Sequence, residues 1–144
     1  MVFSVLALSL IWLPFVYPIQ ARYRFDHSTF YQGESGIVTV TLYNDNPLFQ
    51  WKIKQAGIQF DWQQQQHLWF FAQVNQNLAS GQSYSLTITF GINNNVNVGT
   101  HSFSIKYVGM FDDTHTILTG TFYVHELPSL DVLQSDCSYQ FSHG

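Results

Sequence analysis

Ser83-Tyr84-Ser85-Leu86-Thr87-Ile88-Thr89-Phe90-Gly91-Ile92 alternates without a break. Tyr84, Leu86, Ile88, Phe90 and Ile92 fall on one face, and Ser85, Thr87, Thr89 and Gly91 on the other. Period-two alternation is the mark of a strand buried on one side only.

The same grammar recurs on both sides. Ala21–His27 reads as a short strand with Tyr23 and Phe25 aligned, and Ile37–Tyr43 as a β-branched one closed by Asn44-Asp45-Asn46-Pro47. In Phe49–Trp62 the apolar parity switches: Phe49, Trp51 and Ile53 are odd, whereas Ile58, Phe60 and Trp62 are even. A strand keeps one face buried through such a switch only by taking in an extra residue, so a bulge or break is expected near Lys54–Gly57, with Ala56-Gly57 the natural spot. Gln63–Gln66 reads as a polar connection into a strand over Leu68–Val74. After Ser83–Ile92, the Asn93-Asn94-Asn95 and Gly99 loop leads to Thr100–Val108. Asp112-Asp113-Thr114 turns the chain into Thr116–His125.

No stretch carries a sustained helical face. The expected fold is all-β: an immunoglobulin-like β-sandwich of seven to eight antiparallel strands over residues 22–125. Each large apolar side chain buried between its layers contributes about 1.5–3 kcal/mol. Residues 126–144, with Pro128 near their start, read as a tail or linker.

The opening segment has a different character. Met1 to Ile19 carries no charged side chain. Residues 1–21 are read as a signal peptide, with Val5–Leu13 as its apolar middle, although the start lacks a basic side chain. An uncut membrane anchor and a buried strand are the rival readings. The run just reaches spanning length, but Arg22 and Arg24 directly after it would hold that flank in the cytoplasm. The expected location is secreted or at the cell surface, with membrane contact only through residues 1–21 if they stay attached.

Composition narrows the classes. The chain has 144 residues, a formal charge of −4, 17% aromatic residues and 10% charged residues, against roughly 25% charged in an average domain. Arg22, Arg24, Lys52, Lys54 and Lys106 form no basic stripe, so nucleic acid is not an expected partner. Cys137 is the only cysteine, which excludes an internal disulfide and a cysteine-based metal site.

The run Gln32-Gly33-Glu34-Ser35-Gly36-Ile37-Val38-Thr39-Val40-Thr41-Leu42-Tyr43-Asn44 resembles the second-strand pattern of immunoglobulin-like modules in archaeal and bacterial exported proteins. Leu78-Ala79-Ser80-Gly81-Gln82-Ser83 and Val98-Gly99-Thr100-His101-Ser102-Phe103 resemble later strand starts of the same modules, which include cell-adhesion-related (CARDB-like) and alpha-galactosidase-associated kinds. Ile58-Gln59-Phe60-Asp61-Trp62 is similar to a stretch in uncharacterised archaeal exported proteins. The resemblance spans about Phe25 to Val124. It implies spacers, adhesion units or supports for other domains, with no shared catalytic residues to carry over.

No Gly-x-Ser-x-Gly elbow, His-Glu-x-x-His pair or glycine-rich phosphate loop occurs. Neither enzyme activity nor a cofactor is expected. Asp112, Asp113 and His115 share one predicted loop, with His125 and Glu126 at the far end of its hairpin. A calcium-type site is weighed there against plain turn chemistry, which is the simpler reading. Asp26 and His27 sit at adjacent strand positions and are not expected to act as one dyad. His101 is expected to be a satisfied core or rim side chain. Asp61 is read either as a solvated strand carboxylate or as an anchor of the glutamine loop.

The expected function is that of an exported structural or interaction module, with protein partners or self-assembly through a free sheet edge. The alternative is a carbohydrate-binding sandwich that stacks sugar rings on Trp51, Trp62, Trp69 and Tyr43. A hydrolase accessory domain comes third.

Overall fold

The computed structural model describes residues 19–127. The signal-peptide reading of the first residues and the reading of the tail beyond Leu127 lie outside the described residues. Eight strands form in order: β1 (Gln20–Phe25), β2 (Phe30–Tyr31), β3 (Ser35–Tyr43), β4 (Trp51–Phe60), β5 (Phe70–Leu78), β6 (Ser83–Gly91), β7 (Gly99–Gly109) and β8 (Thr114–His125). A single 3-10 helix, Asp61–Gln66, joins β4 to β5. Among the described residues no helix is long and apolar enough to cross a membrane.

The strands build two sheets, ordered β1-β3-β6 and β2-β8-β7-β4-β5. Their apolar rows meet in one core. From the three-stranded sheet come Val38, Val40, Leu42, Ile88 and Phe90; from the five-stranded sheet come Ile53, Ile58, Phe60, Phe103 and Ile105. Aromatic rings meet across the interface, edge to face or tilted. Phe25 meets Phe103 at 5.4 Å between ring centres, and Phe60 meets Phe90 at 5.0 Å. Such pairs add about 0.5–1.5 kcal/mol each beyond their burial.

The parity switch in β4 is a bulge, and it falls at Lys54. The register against both neighbours slips between Ile53 and Gln55, so the apolar row returns inward at Ala56, not beyond Ala56-Gly57 as expected. Gly57 has another role: a Cβ there would stand 2.0 Å from the Phe70 carbonyl oxygen. β5 answers the Lys54 bulge with Asn75 in the left-handed region, φ 49°.

Three boundaries differ from the sequence reading. The fold starts earlier than residue 22, because Ile19 is buried in the core and Gln20 and Ala21 already pair with Tyr43 and Leu42. The strands are not all antiparallel. Phe30 and Tyr31 run parallel to Val124 and His125, and this two-residue pairing is too short to leave a periodic signal. The chain thus passes from one sheet to the other between β1 and β2. The Asn44–Pro47 turn is also more than a strand terminator. The Asn44 Nδ2 donates to the Phe49 and Leu78 carbonyls, both at 2.8 Å, and its Oδ1 accepts from the Asn46 N–H at 2.9 Å. Asn46 Oδ1 in turn accepts from the Leu48 and Phe49 N–H groups. Two buried amides therefore pin the crossing from β3 to β4.

Candidate functional site

The chemistry gathers at the end of the fold where the 3-10 helix, the β6–β7 loop and the start of β7 meet. They surround an open cleft of about 710 Å3, within the usual range of ligand sites, about 300–1,000 Å3. Trp62, Leu68, Trp69 and Phe70 supply its apolar surface, and Gln66, Asn93, Asn95 and Asn97 its exposed amides.

Local sequence explains how these parts are held. Phe60 donates its N–H to Gln63 Oε1 at 3.0 Å, which starts the helix. His67 closes it in the left-handed region, φ 56°. Trp62 lies flat on Phe60, with ring centres 4.5 Å apart and an interplanar angle of 3°. On the opposite wall, Ile92 and Val96 are buried on either side of the asparagine run. Val96 donates its N–H to the Asn93 carbonyl at 3.1 Å, and Gln32 Nε2 donates to the Val96 carbonyl at 2.7 Å. Asn93 to Asn95 are therefore carried on an anchored loop.

Asp61 and His101 brace the two walls. The His101 Nδ1 lies 2.9 Å and 3.1 Å from the two Asp61 oxygens, and the Ser102 N–H donates to Asp61 Oδ2 at 3.0 Å. The other ring nitrogen, Nε2, meets the Asn97 carbonyl. A carbonyl only accepts, and so does an ionised carboxylate, so both contacts are made in full when both ring nitrogens carry hydrogen. His101 is thus satisfied on both sides. Asp61 neither stands free nor anchors the glutamine loop: it ties the end of β4 to the start of β7. Asp61 and His101 are also the sole ionisable side chains among the described residues lining the cleft, and they contact each other.

Of the four aromatic residues singled out as ligand platforms, the structure brings two together. Trp62 and Trp69 line the cleft. Trp62 has one face spent on Phe60, so it is a wall. Trp69 leans against Phe71, with ring centres 5.1 Å apart and a 30° tilt, and Phe71 is 47% exposed. Trp51 instead borders a separate pocket of about 200 Å3 at the other end of the sheet, beside Tyr107 and Phe111. Its indole Nε1 is buried and has no partner among the described residues. Tyr43 lies apart from both, beside Arg22, Thr41 and Ser83. Sequence reasoning missed Gln66, Asn93, Asn95, Asn97 and Phe71; the asparagine run was visible, but only as a loop.

The β7–β8 hairpin does not assemble an ion site. Asp112 pairs with Lys54 at 2.7 Å, and Asp113 pairs with His115. The His115 contact holds the Asp113 carboxyl below its ordinary range. His125 and Glu126 lie beyond the other end of β8, roughly 30 Å away at about 3.3 Å per residue. Among the described residues no three His, Cys, Asp or Glu side chains are placed to share a metal. Burial, with the nearby Asp113 charge, pushes the Tyr107 hydroxyl up to about 12.

Asp26 and His27 do converge, against expectation. The His27 Nδ1 lies 2.9 Å from Asp26 Oδ1, and its Nε2 meets Glu34. β1 ends at Phe25, so the alternation of a strand no longer separates the two side chains. Asp26 also accepts from the Ile37 N–H, the main reason its carboxyl is held below the usual range.

No family model matches the chain, and no curated protein matches it. Among solved structures it is similar to Spo0M, a sporulation control protein from Bacillus subtilis, with 10% identity and a TM-score of 0.60. The match covers 87% of this chain and 56% of that one, so the chain spans little more than half the length of that structure. At this identity the likeness is one of fold.

Proposed function

We propose that the chain is an exported, non-catalytic interaction module at the cell surface, built as an immunoglobulin-like sandwich, whose working surface is the loop-end cleft. The sandwich reading is supported by the strand order. β1-β3-β6 facing β8-β7-β4-β5 corresponds to the A-B-E and G-F-C layering of such domains, with β5 added beside the C strand. Export rests on the apolar opening of the sequence.

One observation carries the binding reading. Among the described residues the cleft has a single carboxylate, Asp61, and it is spent on His101 and Ser102. No described serine, threonine, cysteine or lysine joins it in the lining. Amides and aromatic rings recognise, and the Asp61–His101 contact is taken up in joining the two walls, with the second ring nitrogen on the Asn97 carbonyl.

The test is capture from the outside of intact cells. A photo-reactive residue in place of Gln66 is expected to cross-link a surface partner in the full chain. The same residue in place of Thr87, on the polar face of β6, is expected not to. Retention of the protein in the cytosol, or capture through position 87 alone, would overturn the proposal. Amino-terminal sequencing of the recovered protein reports whether the apolar segment ahead of Ile19 has been removed.

A further inference from the structure

We propose that the loop-end cleft takes a neutral saccharide. Its pyranose ring stacks on the face of Trp69 away from Phe71, which backs the indole, and its hydroxyls bond to the amides of Gln66, Asn93 and Asn95. The inference rests on the cleft being the working surface, and it names the ligand class of that site.

Three properties select this chemistry. The first is the pairing of surfaces. A pyranose has a face of C–H bonds and a rim of hydroxyls, so it needs an aromatic plane beside groups that both donate and accept. A carboxamide offers an acceptor oxygen and two donor hydrogens, and Gln66, Asn93 and Asn95 all expose theirs beside Trp69.

The second is charge. With Asp61 and His101 paired to each other, the described lining residues leave no free cation to hold a uronic acid, sulfate or phosphate. An anionic sugar would lose hydration without gaining a counter-charge, so the site favours uncharged glycans.

The third is preorganisation. The asparagine run is pinned by buried Ile92 and Val96 and by the Gln32 bond to Val96. Ile92 also donates its N–H to the Glu34 carbonyl at 2.8 Å. Ordering a loop on binding weakens affinity, and here that ordering is already built in. The ligand should leave intact, because glycoside cleavage ordinarily takes two carboxyl groups across the bond, and the described residues give the cleft one.

The experiment is affinity electrophoresis of the purified protein in gels containing neutral β-glucan, xylan, galactomannan or soluble chitin oligomers. Polygalacturonate serves as the acidic counterpart, and calorimetry quantifies any hit. Retardation by at least one neutral polymer and none by polygalacturonate is expected. Trp69→Ala should weaken binding at least tenfold. Asn95→Ala, at an exposed loop position, should weaken it measurably with unchanged thermal unfolding. Tyr43→Ala should leave it unchanged.

No retardation by any neutral polymer, equal retardation by polygalacturonate, or binding indifferent to both Trp69→Ala and Asn95→Ala would overturn the inference. If cross-linking through position 66 persists while every glycan fails, the cleft remains the working surface and its ligand is not a neutral sugar. If both fail, the cleft reading falls as well.

Discussion

Gly120 of β8 stands opposite Phe103 of β7, and a Cβ on Gly120 would lie 2.5 Å from the tip of the Phe103 ring. The ring has little room to withdraw. Phe103 is 1% exposed and is hemmed in by Tyr23, Phe25 and Phe122. Gly120→Ala is therefore expected to destabilise by about 1–3 kcal/mol, the usual cost of overpacking a filled core. Urea unfolding checks this. Phe103→Leu in the same chain should lessen the penalty of Gly120→Ala, and an additive pair would show that the ring is not what the added methyl meets.

Asn44→Ala should be more damaging than its place in a turn suggests. It strips the buried Leu78 carbonyl of this donor and the Asn46 N–H of this acceptor. Each buried group left unpaired costs about 1–3 kcal/mol, out of a total domain stability of about 5–15 kcal/mol. Asn44→Asp keeps the acceptor and loses the donors, so its urea midpoint should also fall. A midpoint within error of the parent chain for both variants would rule out the pinning role.

Asp61→Ala should loosen the cleft without unfolding the core. It frees the His101 Nδ1 and the Ser102 N–H together, at a partly exposed position where the loss is about 1–3 kcal/mol. Amide hydrogen exchange should quicken at Ser102, while the amides of Ile58 and Ile105 in the paired centre of the sheet remain slow. Uniform exchange across all three would contradict a local brace.

Stability should fall in strong alkali because of Tyr107. Its hydroxyl is raised to about 12 from an ordinary value near 10, so the folded state holds the neutral form where the unfolded chain has already ionised. The contribution is complete below pH 10, declines above it, and is gone once the pH passes about 12. Absorbance titration of phenolate should show a late-ionising component that Tyr107→Phe removes. Tyr107→Phe should also flatten the fall in unfolding midpoint above pH 10.

The layered fold was legible because alternation reports burial directly. The apolar row of Ser83–Ile92 is the buried row of β6, and the parity conflict between Ile53 and Ile58 announced a bulge. Its position at Lys54 was not readable, because either side of the break satisfies the same pattern. The cleft was legible only in fragments. Asp61 and His101 lie forty residues apart in sequence and meet because β4 and β7 are neighbours, a fact of pairing that local periodicity does not carry. Asp26 and His27 were misplaced for the opposite reason: the strand rule was extended past Phe25, where the strand stops. Asn44 and Asn46 read as turn formers, which they are, but amide burial leaves no mark on composition.

The parallel seating of β2 on β8 gives the domain a mechanical character. Tension entering through β2 and leaving through the end of β8 pulls these two strands lengthwise in opposite directions. The Phe30–Val124 and Tyr31–His125 pairing and the Gln32–His125 bond are then loaded in shear and yield together, where an antiparallel terminal pair would unzip link by link. A tethered molecule of this build resists extension through a small clamp set at the seam where the chain changes layers.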